Sequence, residues 1–130
     1  ITGCTGFKGS WLTIWLDLLG AKLYGLALDP PTSPSIFEEA KLDSIIDNNI
    51  IDIKDTSKVK NLIKKINPDY VFHLAAQPIV SYSFINPVET WKTNVIGTIN
   101  ILDSLKSLSI PIDIIAAGDR CRDSHSSIKA

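Results

Sequence analysis

The first nineteen residues, ITGCTGFKGSWLTIWLDLL, place Gly3, Gly6 and Gly9 directly ahead of an amphipathic helical run. A G-x-x-G-x-x-G spacing at that junction suits few folds, because each glycine has its own task in a strand-to-helix turn. The first permits the tight turn, the second lets a pyrophosphate approach the backbone, and the third lets the helix pack close to the sheet. The helix then aims its free N–H groups and positive dipole end at the phosphates. Three glycines alone also fit an ordinary turn, so context matters. The strand-like run LYGLALD ends in Asp29, at the spacing where a carboxylate meets the adenosine ribose. The combined pattern reads as dinucleotide binding.

The rest of the chain alternates strand and helix signals. Trp11, Leu12, Trp15, Leu16 and Leu19 form the apolar stripe of a helix lying on a sheet, which predicts that both tryptophans enter the core. Gly20 suits the C-terminal cap. Lys22–Leu28 reads as a second strand. Pro30, Pro31 and Pro34 then forbid helix or central strand, and Ser35 can cap a short helix over Ile36–Lys41. A third strand is expected over Asn49–Ile53, with Asp55 or Thr56 capping a helix that runs to about Ile66. Tyr70–Ala76 is an apolar fourth strand between Pro68 and Pro78. The longest helix starts at Asn86, with Pro87 in first position and Glu89 in a capping-box-like place. Val88, Trp91, Val95, Leu102 and Leu105 mark one face of it, and it ends near Leu108. That length exceeds what one sheet face needs, so part of it is expected to meet another subunit, making a homo-oligomer.

Ile112–Ala117 completes a fifth strand after Pro111, and GDRCRDSHSSIKA reads as loop or disorder. The pattern predicts an α/β, Rossmann-type, doubly wound parallel sheet in the order 3-2-1-4-5. Residues 1–117 would form the dinucleotide-binding domain and 118–130 a divergent tail. Only Ile1 and Thr2 precede the first glycine, whereas a strand of about five or six residues is usual there. The chain therefore reads as an N-terminal part with a truncated first strand, marginally stable alone.

A net charge of −1 gives no electrostatic reason for nucleic-acid or anionic-membrane binding. The basic run Lys58–Lys65 reads as a solvated helix face. No apolar run approaches the roughly 20 residues that span a bilayer. The two cysteines, Cys4 and Cys121, have no metal-ligand spacing, so no metal site is expected, and reduced thiols fit a cytoplasmic protein.

Three further positions invite functional readings. No Arg or Lys follows Asp29 until Lys41, which favours NAD over NADP. Asp52 could accept a hydrogen bond from the adenine amino group, or simply end a strand or cap a helix. Ala75 and Ala76 leave room for a cofactor where ligands lie in open α/β sheets. His73, inside an apolar run, reads as a packed, hydrogen-bonded structural histidine.

These residues resemble the extended short-chain dehydrogenase/reductase family and, within it, the CDP-glucose 4,6-dehydratases. The likeness is carried by TGCTGFKGSW (Thr2–Trp11), ALDPPTSPSIFE (Ala27–Glu38), DIKD (Asp52–Asp55), VFHLAAQPIV (Val71–Val80) and NPVETWKTNVIGTINIL (Asn86–Leu102). It implies a tightly held NAD and a nucleotide-sugar substrate, CDP-glucose. By the family mechanism, C4 of the sugar is oxidised, water leaves across C5 and C6, and the hydride returns to C6. The product is CDP-4-keto-6-deoxyglucose, a polysaccharide precursor.

Carried over by position, Gly3, Thr5, Gly6, Phe7 and Gly9 fall at the pyrophosphate and Asp29 at the ribose. Asp52 and Ile53 fall at the adenine, and Leu74, Ala75, Ala76 and Gln77 lie along the cofactor. Thr93 and Asn94 sit on the helix behind the active site, where Asn94 helps order it. The family's Thr-Ser-Asp-Lys-Cys-Tyr run is matched here by Ala117, Gly118, Asp119, Arg120, Cys121 and Arg122. Asp119 keeps the place of the acid, Gly118 lacks the hydroxyl, and Arg120 is a poor proton shuttle. The Tyr-x-x-x-Lys pair is absent, so this chain alone is expected to be inactive. Two alternatives stay open: a non-catalytic NAD-binding module, and another extended-family epimerase or dehydratase.

Overall fold

The computed structural model describes residues 1–106, residue 108 and the strand 113–116. The expected tail, with Asp119 and Cys121, lies outside the described residues. Among the described residues there are four parallel strands: β1 (Tyr24–Ala27), β2 (Asp47–Ile50), β3 (Tyr70–His73) and β4 (Asp113–Ala116). β1 pairs with β2 and β3 with β4. Thr2 joins the two pairs, forming parallel bridges to both Leu26 and His73. The order is therefore β2, β1, the Ile1–Thr2 segment, β3, β4, as the spacing predicts.

Ile1 and Thr2 lie in the middle of the sheet, with their backbone bonded on both sides. Leu26 N donates to Ile1 O at 3.0 Å and Gly3 N to Leu26 O at 2.8 Å. On the other side, Thr2 N donates to Phe72 O at 2.8 Å and Leu74 N to Thr2 O at 3.2 Å. Ile1 N also donates to Tyr24 O at 2.8 Å.

Side chains alternate across β1, as the two-residue strand period requires. Leu26 joins a core with Ile53, Val59, Leu62, Ile63, Val71, Ile101 and Leu105. This core is covered by α3 (Thr56–Ile66) and α6 (Gly97–Leu105). Leu23 and Ala27 instead join Cys4, Phe37, Leu42 and Ile46 on the opposite face, beside α1 (Phe7–Leu18) and α2 (Ile36–Glu39). Ser35 caps α2 by accepting from Glu38 N, and Asp55 caps α3 by accepting from Lys58 N. Gly20, with φ +77°, follows the end of α1.

Several expectations about helices fail. In α1 the buried residues are Gly9, Ser10 and Thr13, while Trp11 and Trp15 are 54% and 63% exposed. The helix carries two interleaved stripes, and closeness to the sheet selects the small one. A Cβ on Gly9 would lie 2.7 Å from Cys4 Cα, so α1 approaches the loop more tightly than tryptophan allows.

The long helix is also not uniform. It comprises α5 (Pro87–Trp91), a π-helical turn (Lys92–Ile96) and then α6. The wider turn shifts the phase of the apolar stripe, as π-bulges do. Gly97, Asn100, Ile101, Ser104 and Leu105 turn inward, whereas Val88, Trp91 and Val95 stay exposed. Glu89 makes no capping box with Asn86, whose side chain caps nothing; it pairs with Lys54 instead. β2 begins at Asp47 and ends at Ile50, two residues before Asp52, because Asp52–Asp55 turns back on itself through an Asp55 N–Asp52 O bond of 2.9 Å. α4 (Val80–Ile85) was not expected at all.

Candidate cofactor site

The glycine loop lies where the strand order reverses, the place where open α/β sheets take ligands. Gly3 has φ +71°, a backbone conformation that glycine tolerates without a steric penalty. A Cβ there would meet Ala75 N at 2.8 Å, so the loop and the end of β3 pack backbone to backbone. Gly6 N donates to Gly3 O at 3.1 Å, closing the turn. On Gly6 itself a Cβ would approach only Gly3 O, at 3.4 Å, which leaves that side of the loop open. The N-cap of α1 is Gly6, with no side-chain cap and no acidic residue in the first turn. An uncapped helix start with its positive dipole end facing the loop is suited to an anion. Phe7, the first residue of α1, is 72% exposed beside it.

Thr5 is buried, and its hydroxyl donates to Leu28 O at 2.9 Å, tying the loop to the carboxyl end of β1. Asp29, one residue on, is exposed at that end. Asp52 is half-buried after β2. Its Oδ1 accepts from Lys54 N at 2.9 Å and its Oδ2 lies 3.4 Å from Lys54 Nζ. The Ile53 side chain is buried in the core, and its carbonyl accepts from Asn100 Nδ2 at 2.9 Å. The sheet thus brings the carboxylates after β1 and β2 to the same carboxyl edge as the loop.

On the other side of Thr2, the stretch Leu74–Gln77 leaves β3 along that edge. Leu74 and Ala75 are half-buried and Ala76 is exposed. Asn94, on the π-helical turn, grips Gln77 twice. Gln77 N donates to Asn94 Oδ1 at 2.7 Å, and Asn94 Nδ2 donates to Gln77 O at 3.0 Å. Gln77 Nε2 in turn donates to Thr90 Oγ1 at 3.2 Å. Thr93 is half-buried beside Asn94.

His73 is buried and hydrogen-bonded on both ring nitrogens, to Thr2 Oγ1 at 2.7 Å and to Thr98 Oγ1 at 2.9 Å. Burial lowers its pKa. Cys4 is a buried free thiol 3.1 Å from Asn48 Oδ1, and burial raises its pKa. Among the described residues no cluster of His, Cys, Asp and Glu could hold a metal ion, and no helix is long and apolar enough to cross a membrane.

The resemblance marks Asn94 as an ordering residue, but its grip on Gln77 and the clamps made by Thr98 and Asn100 escaped sequence reasoning. Their signal was there: polar residues at Thr93, Asn94, Thr98 and Asn100 interrupt an otherwise apolar helix. Inward polar groups need partners, and the loops at the sheet edge supply them.

A family model described as GDP-mannose 4,6 dehydratase matches residues 1–122. The chain is 45% identical over 126 residues to the CDP-glucose 4,6-dehydratase of Salmonella typhimurium, covering 96% of this chain. It spans only 35% of that relative's length. Among solved structures, Pal from Bacillus thuringiensis superposes with a TM-score of 0.78 at 26% identity, over 88% of this chain and 36% of Pal. The UDP-glucose 4-epimerase of Brucella ovis, solved in complex with NAD, superposes with a TM-score of 0.67 at 26% identity, over 81% of this chain and 30% of the epimerase.

Proposed function

The chain belongs to the GDP-mannose 4,6 dehydratase family, and on that premise we propose that it is the NAD-binding portion of a nucleotide-sugar 4,6-dehydratase acting on CDP-glucose. The observation that carries the reading is the glycine loop held between β1 and β3 beneath an uncapped helix start. Such a cradle suits a pyrophosphate: a side chain at Gly3 or Gly9 would collide with neighbouring backbone and push the loop apart, whereas the approach to Gly6 is open. In this reading the loop residues Gly3, Thr5, Gly6, Phe7 and Gly9 hold the pyrophosphate and Asp29 accepts from the ribose hydroxyls. Asp52 and the Ile53 backbone border the adenine. Leu74, Ala75, Ala76 and Gln77 flank the nicotinamide half, with Thr93 and Asn94 behind them.

When bound, NAD would accept a hydride from the sugar and later return it. The chain's own residues would bind and orient it. Asp119 has the place of the acid that protonates the leaving hydroxyl. The tyrosine and lysine that would take the C4 hydroxyl proton are not in this sequence, so we expect no turnover by this chain alone. The substrate reading rests on the 45% identity to the Salmonella enzyme. We also read the exposed Val88, Trp91 and Val95 as the place where a second copy packs; sedimentation at monomer mass at all concentrations would overturn that.

Calorimetric titration of the chain with NAD and NADP tests the cofactor reading. We expect NAD to bind more tightly than NADP, with Asp29→Ala narrowing the difference. No binding of either, or an unchanged preference in Asp29→Ala, would overturn it. Formation of the 4-keto sugar from CDP-glucose by this chain alone would overturn the expected inactivity.

A further inference from the structure

Two threonine hydroxyls meet the ring of His73, and their other bonds fix which nitrogen carries the proton. The Thr98 hydroxyl donates to Asn94 O at 2.7 Å, so towards His73 Nε2 it can only accept. Nε2 therefore bears the hydrogen, and Nδ1 accepts from the Thr2 hydroxyl at 2.7 Å. The Thr2 oxygen then uses its remaining acceptor capacity on Leu74 N and Ala75 N, each at 3.1 Å. The hydrogens of the ring and of the two hydroxyls each have one place to go, and the Leu74 N–H is shared between Thr2 Oγ1 and the Thr2 carbonyl. The chain of bonds runs from the helix carrying Asn94, through the imidazole, to the residue before the glycine loop, and ends on the backbone at the exit of β3.

We propose that His73, as a neutral imidazole with the proton on Nε2, is a positioning residue for the nicotinamide half of the cofactor site. The proposal rests on the NAD-binding reading above. Because Gly3 packs directly on Ala75, a small rotation of Leu74–Ala75 moves the backbone that borders the glycine loop. His73 opposes that rotation by fixing the Thr2 hydroxyl as an acceptor. Asn94 fixes the far end of the same stretch at Gln77, and Thr98 links the two anchors through Asn94 O. The two halves of a dinucleotide lie on either side of the strand-order reversal. Asp29 follows β1 on one side, and Leu74–Gln77 follow β3 on the other. Loss of the relay should therefore affect NAD but spare the adenosine half.

The test uses Thr98→Val, which removes the acceptor for His73 Nε2, and Thr98→Ser, which keeps it. NAD and ADP affinities are measured by calorimetry in both variants and in the parent chain. Amide exchange at Leu74 and Ala75 and the ring 15N shifts of His73 are followed by NMR. We expect Thr98→Val to bind NAD about fivefold to tenfold more weakly, the size of one net hydrogen bond. ADP affinity should hold, exchange at Leu74 and Ala75 should quicken, and Thr98→Ser should restore all three. The parent ring should show the Nε2–H form. Parallel losses of NAD and ADP, unchanged NAD affinity, or an Nδ1–H ring would overturn the proposal. If the parent chain binds neither nucleotide, the cofactor reading fails by itself. Faster exchange in Thr98→Val would then still support the positioning of Leu74–Ala75, and unchanged exchange would overturn it.

Discussion

The face of the sheet under α3 and α6 and the stretch from Gln77 to Ile96 are held in opposite ways. The first is a closed apolar core in which Val59 and Ile101 are 0% and 1% exposed. The second has no buried residue in α4, α5 or the π-helical turn. Polar side chains hold it instead: Asn94 on Gln77, Gln77 on Thr90, and Lys54 on Glu89. Apolar burial is non-directional and resists unfolding. Hydrogen bonds add less net stability but fix where a backbone atom sits. The core therefore keeps the chain folded, and the polar stretch fixes the backbone along the carboxyl edge of the sheet.

The strongest way to break this contrast is Ile101→Ala. Emptying the middle of the α3–α6 core should cost about 2–5 kcal/mol of stability, measured by urea unfolding. That is a large share of the roughly 5–15 kcal/mol a domain has. A loss under about 1 kcal/mol would mean that this core does not carry the fold in the way large-to-small substitutions normally reveal.

Asn94→Ala probes the other region. It strips two hydrogen bonds from the half-buried Gln77 backbone and should cost about 1–3 kcal/mol, towards the low end because water can reach the gap. Relative to that loss, NAD affinity should fall further than in Ile101→Ala. If Asn94→Ala unfolds the chain as readily as Ile101→Ala, the division between stability and positioning fails.

The same division explains what could be read in the sequence. Strand order, the glycine turn and the helix caps at Ser35 and Asp55 follow from local chemistry, and the structure has them. Trp11 and Trp15 misled because hydrophobicity marks a stripe without saying which stripe fits. The space left by Gly9 against Cys4 decides that, and it is a tertiary fact. The long helix misled because a constant period was assumed through Lys92–Ile96, where one wide turn shifts the register. The clamps on Gln77 span 17 residues, beyond any local rule. The glycine turn and the positions of Asp29 and Asp52 after β1 and β2 were legible as structure, whereas the hydrogen bonds that fix Leu74–Gln77 were not.

Titration gives a smaller effect that lies on the border between the regions. Burial holds the His73 pKa below its ordinary value of 6.5. The unfolded chain then binds a proton that the folded chain resists, so stability is full above about pH 6.5 and falls as pH drops below it. Melting temperature should decline between about pH 7.5 and 5.5. His73→Gln should remove part of that slope; an unchanged slope would show that the ring is not its source.

The smallest expected effect is at Lys54 and Glu89, the ion pair that joins the loop after β2 to α5. Both side chains are about a third or more exposed, at 32% and 42%, so solvent screens them. Glu89→Gln should cost only about 0.2–1 kcal/mol, shrinking as salt is added. Its effect on position should be clearer than its effect on stability. Lys54 also contacts Asp52, and the Glu89 pairing is the main influence raising the lysine's pKa. With Glu89 neutral, Lys54 is left to Asp52 alone, which strengthens the competition for the carboxylate assigned to the adenine edge. Adenosine affinity should then weaken while melting stays nearly constant. A melting change larger than that of Asn94→Ala would place Glu89 among the residues that hold the fold, and the contrast between the two regions would have to be redrawn around α5.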